Sequence, residues 1–152
     1  MSVREQLNDD LKAALRSGDE SRKSAIRLLL ASIHNAEIQA AGHQLDDAAI
    51  IGLLSREVRQ RRESIAEFRK AGRDDLVARE ETGLAVVVAY LPPQLTQEEI
   101  VAAASDVIRQ VGAKGPADRG RVMAAIMTEL RGKADGSEIS AVVGELLSQL
   151  PA

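Results

Sequence analysis

The sequence predicts an all-α fold of two helical bundles, a four-helix domain over residues 1–93 and a three-helix domain over 94–152. Three observations predict it. Apolar residues recur three and four apart along nearly the whole chain, with little of the strict alternation that marks a half-buried strand. Apolar residues make up 45% of the chain and aromatics only 1%, so the core must be built from Leu, Ile, Val, Ala and a few Met. Pro92-Pro93 then breaks the pattern: each proline lacks a backbone donor and drives its predecessor toward extended geometry.

Each helix follows from local signals. Ser2 and Glu5 form a capping box that opens the first, Val3, Leu7, Leu11 and Leu15 give its stripe, and Gly18 ends it. Asp19 or Ser21 starts the second, with Ile26, Leu29, Leu30 and Ile33 inward and Gly42 as its stop. Asp46 caps a long third helix reaching about Ala71, whose stripe of Ile50, Leu54, Val58, Ile65 and Phe68 is interrupted by Arg61 and Arg62. The fourth runs from Asp74 through Leu76, Leu84 and Val87 to Leu91. Gly83 inside it weakens the helix by roughly 1 kcal/mol relative to alanine and predicts a kink or a close helix contact. Beyond the prolines, Thr96 and Glu99 form a second capping box before Ile100, Ala104, Val107 and Val111. A turn over 112–116 leads to a short helix carrying Val122, Ile126 and Leu130. Gly132 is expected to stop it in the left-handed position after its last turn. Asp135 or Ser137 caps the last helix, with Ile139, Val143, Leu146 and Leu150 on its buried face. A three-helix unit this short is small for independent stability.

Composition narrows the chemistry. There is no cysteine, so disulfides, thiolate nucleophiles and cysteine-ligated metals are excluded, which fits a reducing compartment. Arg4 and Glu5 follow the first residues where a signal peptide would need apolar ones. The longest strongly apolar run, 85–91, is far short of the ~20 residues of a membrane helix, so no membrane partner is expected and a cytoplasmic location is. His34 and His43 lack metal-ligand spacing, and no nucleotide loop or nucleophile elbow is present. The adjacent carboxylates Asp9-Asp10, Asp46-Asp47 and Glu80-Glu81 diverge by about 100° on a helix and do not converge on a substrate. No catalytic centre, cofactor or metal is expected.

A net charge of −3 gives no global attraction to nucleic acid, so any such contact must come from local basic patches. Arg56, Arg59, Arg62 and Arg69 lie along the third helix, interleaved with Glu57, Glu63 and Glu67. Their simplest reading is a salt-bridged, solvated face in which Glu63 pairs with Arg59 or Lys70. Arg22, Lys23 and Arg27 form another patch. In residues 94–152 the cations are segregated: Arg119, Arg121, Arg131 and Lys133 bracket the short helix. Two readings compete there. One is a well-capped helix hairpin with solvated cations. The other is an anion site, in which Gly132, Gly136 and Ser137 offer backbone donors at a positive helix end beside Arg131 and Lys133. Arg121 and Arg131 stand about 15 Å apart along a helix, so one phosphate cannot bridge them but two phosphates of a folded RNA can. No aromatic platform accompanies them, which favours backbone or shape contact over base stacking.

Gly120-Arg121-Val122-Met123, the turn Gly132-Lys133-Ala134-Asp135-Gly136 and the closing Val142-Val143 and Leu146-Leu147 resemble the signature of the GatB/YqeY family. Leu91-Pro92-Pro93-Gln94-Leu95, preceded by Tyr90, resembles that family's Tyr-Leu-Pro-x-Gln-Leu junction, and Leu54 to Leu76 is similar to its first domain. Thr128 departs from the family, several of whose members carry proline there. The resemblance spans essentially the whole chain and implies a stand-alone protein whose second domain is similar to the tail of the B subunit of glutamine-dependent aminoacyl-tRNA amidotransferases. In that enzyme the tail helps engage tRNA while a separate, larger domain performs the chemistry. The implied function is a non-catalytic tRNA- or RNA-binding accessory protein, with Arg119, Arg121, Arg131 and Lys133 on phosphates. Alternatives are a subunit role in carbon–nitrogen ligation with glutamine as amido-N-donor, or a protein-interaction module docking on an amidotransferase or synthetase-type protein.

Overall fold

The computed structural model describes residues 1–151, and among them seven α-helices and one 3-10 turn occur with no strand. Contacts divide the chain into two compact units, Met1–Leu91 and the segment from Pro92 onward. The first holds α1 (Val3–Ser17), α2 (Glu20–Gln39), α3 (Asp47–Lys70) and α4 (Asp74–Val88). The second holds α5 (Gln97–Val111), the 3-10 turn (Pro116–Asp118), α6 (Arg119–Leu130) and α7 (Gly136–Ser148).

Local capping sets most of these boundaries. Ser2 with Glu5 and Thr96 with Glu99 form reciprocal capping boxes at α1 and α5. The carboxylates of Asp19, Asp46 and Asp135 accept backbone N–H groups at α2, α3 and α7. Each such cap is worth about 1 kcal/mol. α1 and α5 both end on a left-handed glycine, Gly18 and Gly112. α2 ends earlier than expected. Ala41 (φ 58°) and Gly42 (φ 82°) are both left-handed there, and the Gly42 amide donates to the Glu37 carbonyl to close the end. α4 likewise stops at Val88, before the prolines, and Tyr90 and Leu91 continue as a tightened turn on the carbonyls of Val87 and Val88.

The first core gathers Leu7, Ile26, Leu29, Ile33, Ile50, Leu54 and Val87, with Leu84, Val86, Val88, Tyr90 and Leu91 packed against it. Complete burial of each large side chain contributes about 1.5–3 kcal/mol. Leu15, expected in the α1 stripe, is 49% exposed, and Ala14 is buried instead. A strict four-residue repeat walks about 40° around a helix per step, so its last member turns away, whereas Ala14, seven residues after Leu7, returns nearly beneath it. The second core gathers Ile100, Ala104, Val107, Val122, Ile126, Ile139, Val143 and Leu147 from all three of its helices.

Two polar features are built into the first unit. Arg61 lies in the α3 stripe seven residues after Leu54. Only 14% of its side chain is exposed, and it pairs with Glu80 at 3.2 Å. Its guanidinium occupies the space above Gly83 of α4, where an added Cβ would sit 2.3 Å from Nη1. The mid-helix glycine is therefore a close contact between helices. Arg62, the other expected interruption, is exposed. Tyr90 donates its hydroxyl to Asp10 of α1 at 2.5 Å, and Asp10 also pairs with Arg22 of α2 at 3.3 Å. Burial first, then the bond to Asp10 and its charge, push the Tyr90 hydroxyl up to about 12.

Candidate nucleic-acid interface

α6 carries one pair of basic residues at each end, and the structure gives the two pairs different surroundings. At its start, Arg119 reaches across to α7 and donates to both the carbonyl (3.1 Å) and the hydroxyl (2.5 Å) of Ser140. Gly144, one turn further on, makes room for it, since a Cβ there would lie 3.1 Å from Nη1. Arg121 pairs with Asp118 at 3.2 Å while remaining 55% exposed. The Asp118 carboxyl is held below its ordinary range first by the Lys114 backbone N–H and then by Arg121. Both arginines thus have partners within their own unit.

At the other end, α6 does not finish on a left-handed glycine directly after its last turn. Arg131 leaves the helix first, with φ −56° and ψ 126°, and Gly132 follows at φ 80°. The Lys133 N–H donates to the Leu130 carbonyl at 2.9 Å. These angles and this bond are those of a type II turn, which needs positive φ at its third residue and so glycine there. Arg131 and Lys133 flank the buried Gly132, and both are exposed. Neither has an ion pair or side-chain hydrogen bond among the described residues.

The Pro92–Leu95 segment is bonded onto this turn. The Gln94 carboxamide nitrogen donates to the Pro92 carbonyl at 2.8 Å and to the Gly132 carbonyl at 2.7 Å. The Leu95 N–H donates to the Lys133 carbonyl at 2.8 Å. The carbonyls of Leu130, Gly132 and Lys133 are therefore all satisfied, and two segments 38 residues apart form one knot. Spacing could not reveal this, because neither segment has a periodic relation to the other. Gln94 stood out only as a position in a short motif.

Past the knot, Asp135 caps α7. Its Oδ1 accepts both the Ser137 N–H and the Ser137 hydroxyl at 2.9 Å. Of the backbone donors that sequence reasoning left free at this helix start, the Ser137 N–H is thus engaged by a carboxylate of the chain itself. The positive dipole end that Gly136 begins is likewise occupied by that carboxylate. The two cation pairs do not converge either: α6 separates its ends by about 15 Å.

The arginine face of α3 is salt-bridged at its far end. Arg69 meets Glu81 of α4 at 2.7 Å, and Lys70, one of the two partners expected for Glu63, takes Glu67 at 3.3 Å. No group of three or more His, Cys, Asp or Glu among the described residues is placed to hold a metal ion. No helix among them is long and apolar enough to cross a membrane.

A family model described as Yqey-like protein matches residues 4–147, a span that includes the knot and both units. The chain belongs to that family. Among curated proteins, this family member is similar to "Altered inheritance of mitochondria protein 41, mitochondrial" of Lachancea thermotolerans, 40% identical over 112 residues, 72% of this chain and 60% of that protein. The protein of the same name from Eremothecium gossypii is 40% identical over 107 residues, 69% of this chain and 58% of the relative. The chain therefore spans about three fifths of the length of the curated relatives it matches. The names of those relatives place them in mitochondria, so the cytoplasmic location expected from composition has no support from them.

Proposed function

We propose that this Yqey-like protein is a non-catalytic RNA-binding accessory protein that engages tRNA, with a three-helix domain docking on backbone phosphates. The observation that carries this reading is the exposed, unpartnered pair Arg131 and Lys133, held on a turn with no unsatisfied carbonyl of its own at Leu130, Gly132 or Lys133. Two cations with no ion-paired carboxylate among the described residues lose little on meeting a phosphate, and they release its condensed counterions. Arg121 is a secondary contact, since it is 55% exposed and can exchange Asp118 for phosphate. Arg119 ties the start of α6 to α7 by bonding Ser140. Gly132, Gly136 and Ser137 shape the turn and the start of α7. The relation to amidotransferase tails, and with it a subunit role in glutamine-dependent carbon–nitrogen ligation, belongs to this proposal. So does the compartment, which for an RNA partner is whichever one holds tRNA.

One observation favours a protein partner instead. A groove of about 300 Å³ opens between α5 and α7 over Ile108, Leu146 and Leu150, with Arg109 and Gln149 at its edge.

The deciding experiment is fluorescence anisotropy with total tRNA across a salt series and an RNA duplex as competitor. Contact through Arg131 and Lys133 alone predicts a log–log slope of about −1.4 to −1.8, and all four cations predict about −2.8 to −3.6. Replacing Arg131 and Lys133 by alanine should remove most binding with helicity intact. Absence of binding at low salt overturns the RNA reading and directs the search to the groove.

A further inference from the structure

Resting on the RNA reading, we infer that Gln94 is a positioning residue. Its carboxamide locks the 130–133 turn to the Pro92–Leu95 segment, so that Arg131 and Lys133 are presented as a preset anion-binding pair. The hydrogen bonds of the Gln94 side chain go to main-chain carbonyls and not to the two cations. It acts through the Gly132 carbonyl, to which it donates at 2.7 Å, while its second N–H is spent on the Pro92 carbonyl at 2.8 Å.

The chemistry selects glutamine. Two acceptors, each a main-chain carbonyl, call for two N–H donors on one nitrogen, which a carboxamide of sufficient reach supplies without adding a charge. A glutamate of the same shape would set a carboxylate against two carbonyls and be repelled. A leucine of similar volume would leave the Gly132 carbonyl without that donor. The turn needs such a tie. Gly132 is conformationally permissive, and its φ of 80° gives up much of its freedom. A turn that must be ordered anew on each binding event pays that entropy out of its affinity, whereas a preset one does not. The second bond between the segments, from Leu95 N–H to the Lys133 carbonyl, depends on the same register. The inference is therefore that the junction motif and the basic turn motif form a single device, although 38 residues separate them.

The test compares the full chain with its Gln94→Leu and Gln94→Glu variants. Amide exchange at Lys133 and Leu95 is followed without RNA. Anisotropy with total tRNA is then measured at a temperature where circular dichroism shows every variant folded. Exchange at both amides should rise at least tenfold in each variant. Affinity should fall about tenfold while the salt slope stays that of the native chain, because the cations are kept and only their presetting is lost. Arg131→Ala with Lys133→Ala should do the opposite: exchange as in the native chain and a shallower salt slope. Unchanged exchange in Gln94→Leu overturns the inference, and so does native affinity alongside fast exchange, since a merely structural glutamine would leave binding by a folded variant untouched. If the native chain binds no tRNA, the RNA reading fails and the claim of a preset phosphate pair fails with it. Exchange alone then decides whether Gln94 locks the turn.

Discussion

Two arginines, one in each unit, lie over a glycine of a neighbouring helix, and their surroundings are opposite. Arg61 is nearly enclosed, paired with Glu80 and pressed so close to Gly83 that a methyl group would overlap its guanidinium at 2.3 Å. Its Nε is buried with no hydrogen-bond partner among the described residues. Arg119 lies exposed over Gly144, where an added Cβ would meet its Nη1 at 3.1 Å, and it bonds a carbonyl and a hydroxyl rather than a carboxylate. The same pairing of residue types is thus a buried strut in one unit and a surface clasp in the other. Burial of the charge decides which, because desolvation makes every partner of Arg61 matter and solvent relieves Arg119 of most of that dependence.

The largest break in this comparison comes from removing a partner. Glu80→Leu strands the mostly buried Arg61 charge and should destabilise the first unit by about 1–3 kcal/mol, a buried-pair penalty discounted for the water that still reaches both groups. Hydrogen exchange at α3 and α4 amides should report the loss while α6 and α7 amides stay as in the native chain. A loss spread over both units would deny that Arg61 serves its own unit.

A smaller effect carries an opposite sign in the two units. Gly83→Ala must push the Arg61 guanidinium off Glu80, so despite a helix-propensity gain of up to about 1 kcal/mol it should lose about 1 kcal/mol net. In Gly144→Ala the exposed Arg119 needs to yield only a few tenths of an ångström, and the propensity term should win by about 0.5 kcal/mol. Denaturant midpoints for the two variants should move in opposite directions. Movement in the same direction would collapse the distinction between strut and clasp.

The gentlest probe leaves neutral pH untouched. Tyr90, the single tyrosine of the chain, belongs to the first unit, so ultraviolet titration reads that unit alone. Its hydroxyl is raised from an ordinary 10.0 to about 12 by burial and by Asp10. A folded value above the unfolded one means that its stabilisation is complete below pH 10 and is lost as the pH climbs through 12. The folded chain should therefore ionise near 12, with α1, α2 and α4 loosening first, and Asp10→Asn should lower the midpoint. A midpoint at the ordinary value would show that the Tyr90–Asp10 bond does not hold in solution.

Much of the fold was legible because its causes are local. The capping boxes at Ser2 and Thr96, the carboxylate caps at Asp19 and Asp46, and the glycine stops at 18 and 112 act within a few residues of themselves. The exceptions are also physical. Leu15 misled because a four-residue repeat drifts around a helix, and α2 ends short of its glycine stop because Ala41, just before Gly42, also takes a left-handed conformation. The candidate site was legible only in part. Its cations, its glycine turn and the Asp135 cap were visible as residue types. That Arg119 bonds Ser140, that Ser137 turns back on Asp135 and that Arg131 and Lys133, alone of the four basic residues, have no partner among the described residues could not be read from spacing.

By itself the sequence determined that the chain is helical, where most helices begin, which faces are apolar and that the core is aliphatic, because these follow from periodicity, capping and composition. Tertiary structure alone decided which charges are spent and which remain available. It placed Arg61 against Gly83, gave Ser140 to Arg119 and tied Gln94 to Gly132. Such pairings join residues distant in the chain, and their energies depend on burial and on partners a few ångströms away, which no local pattern encodes.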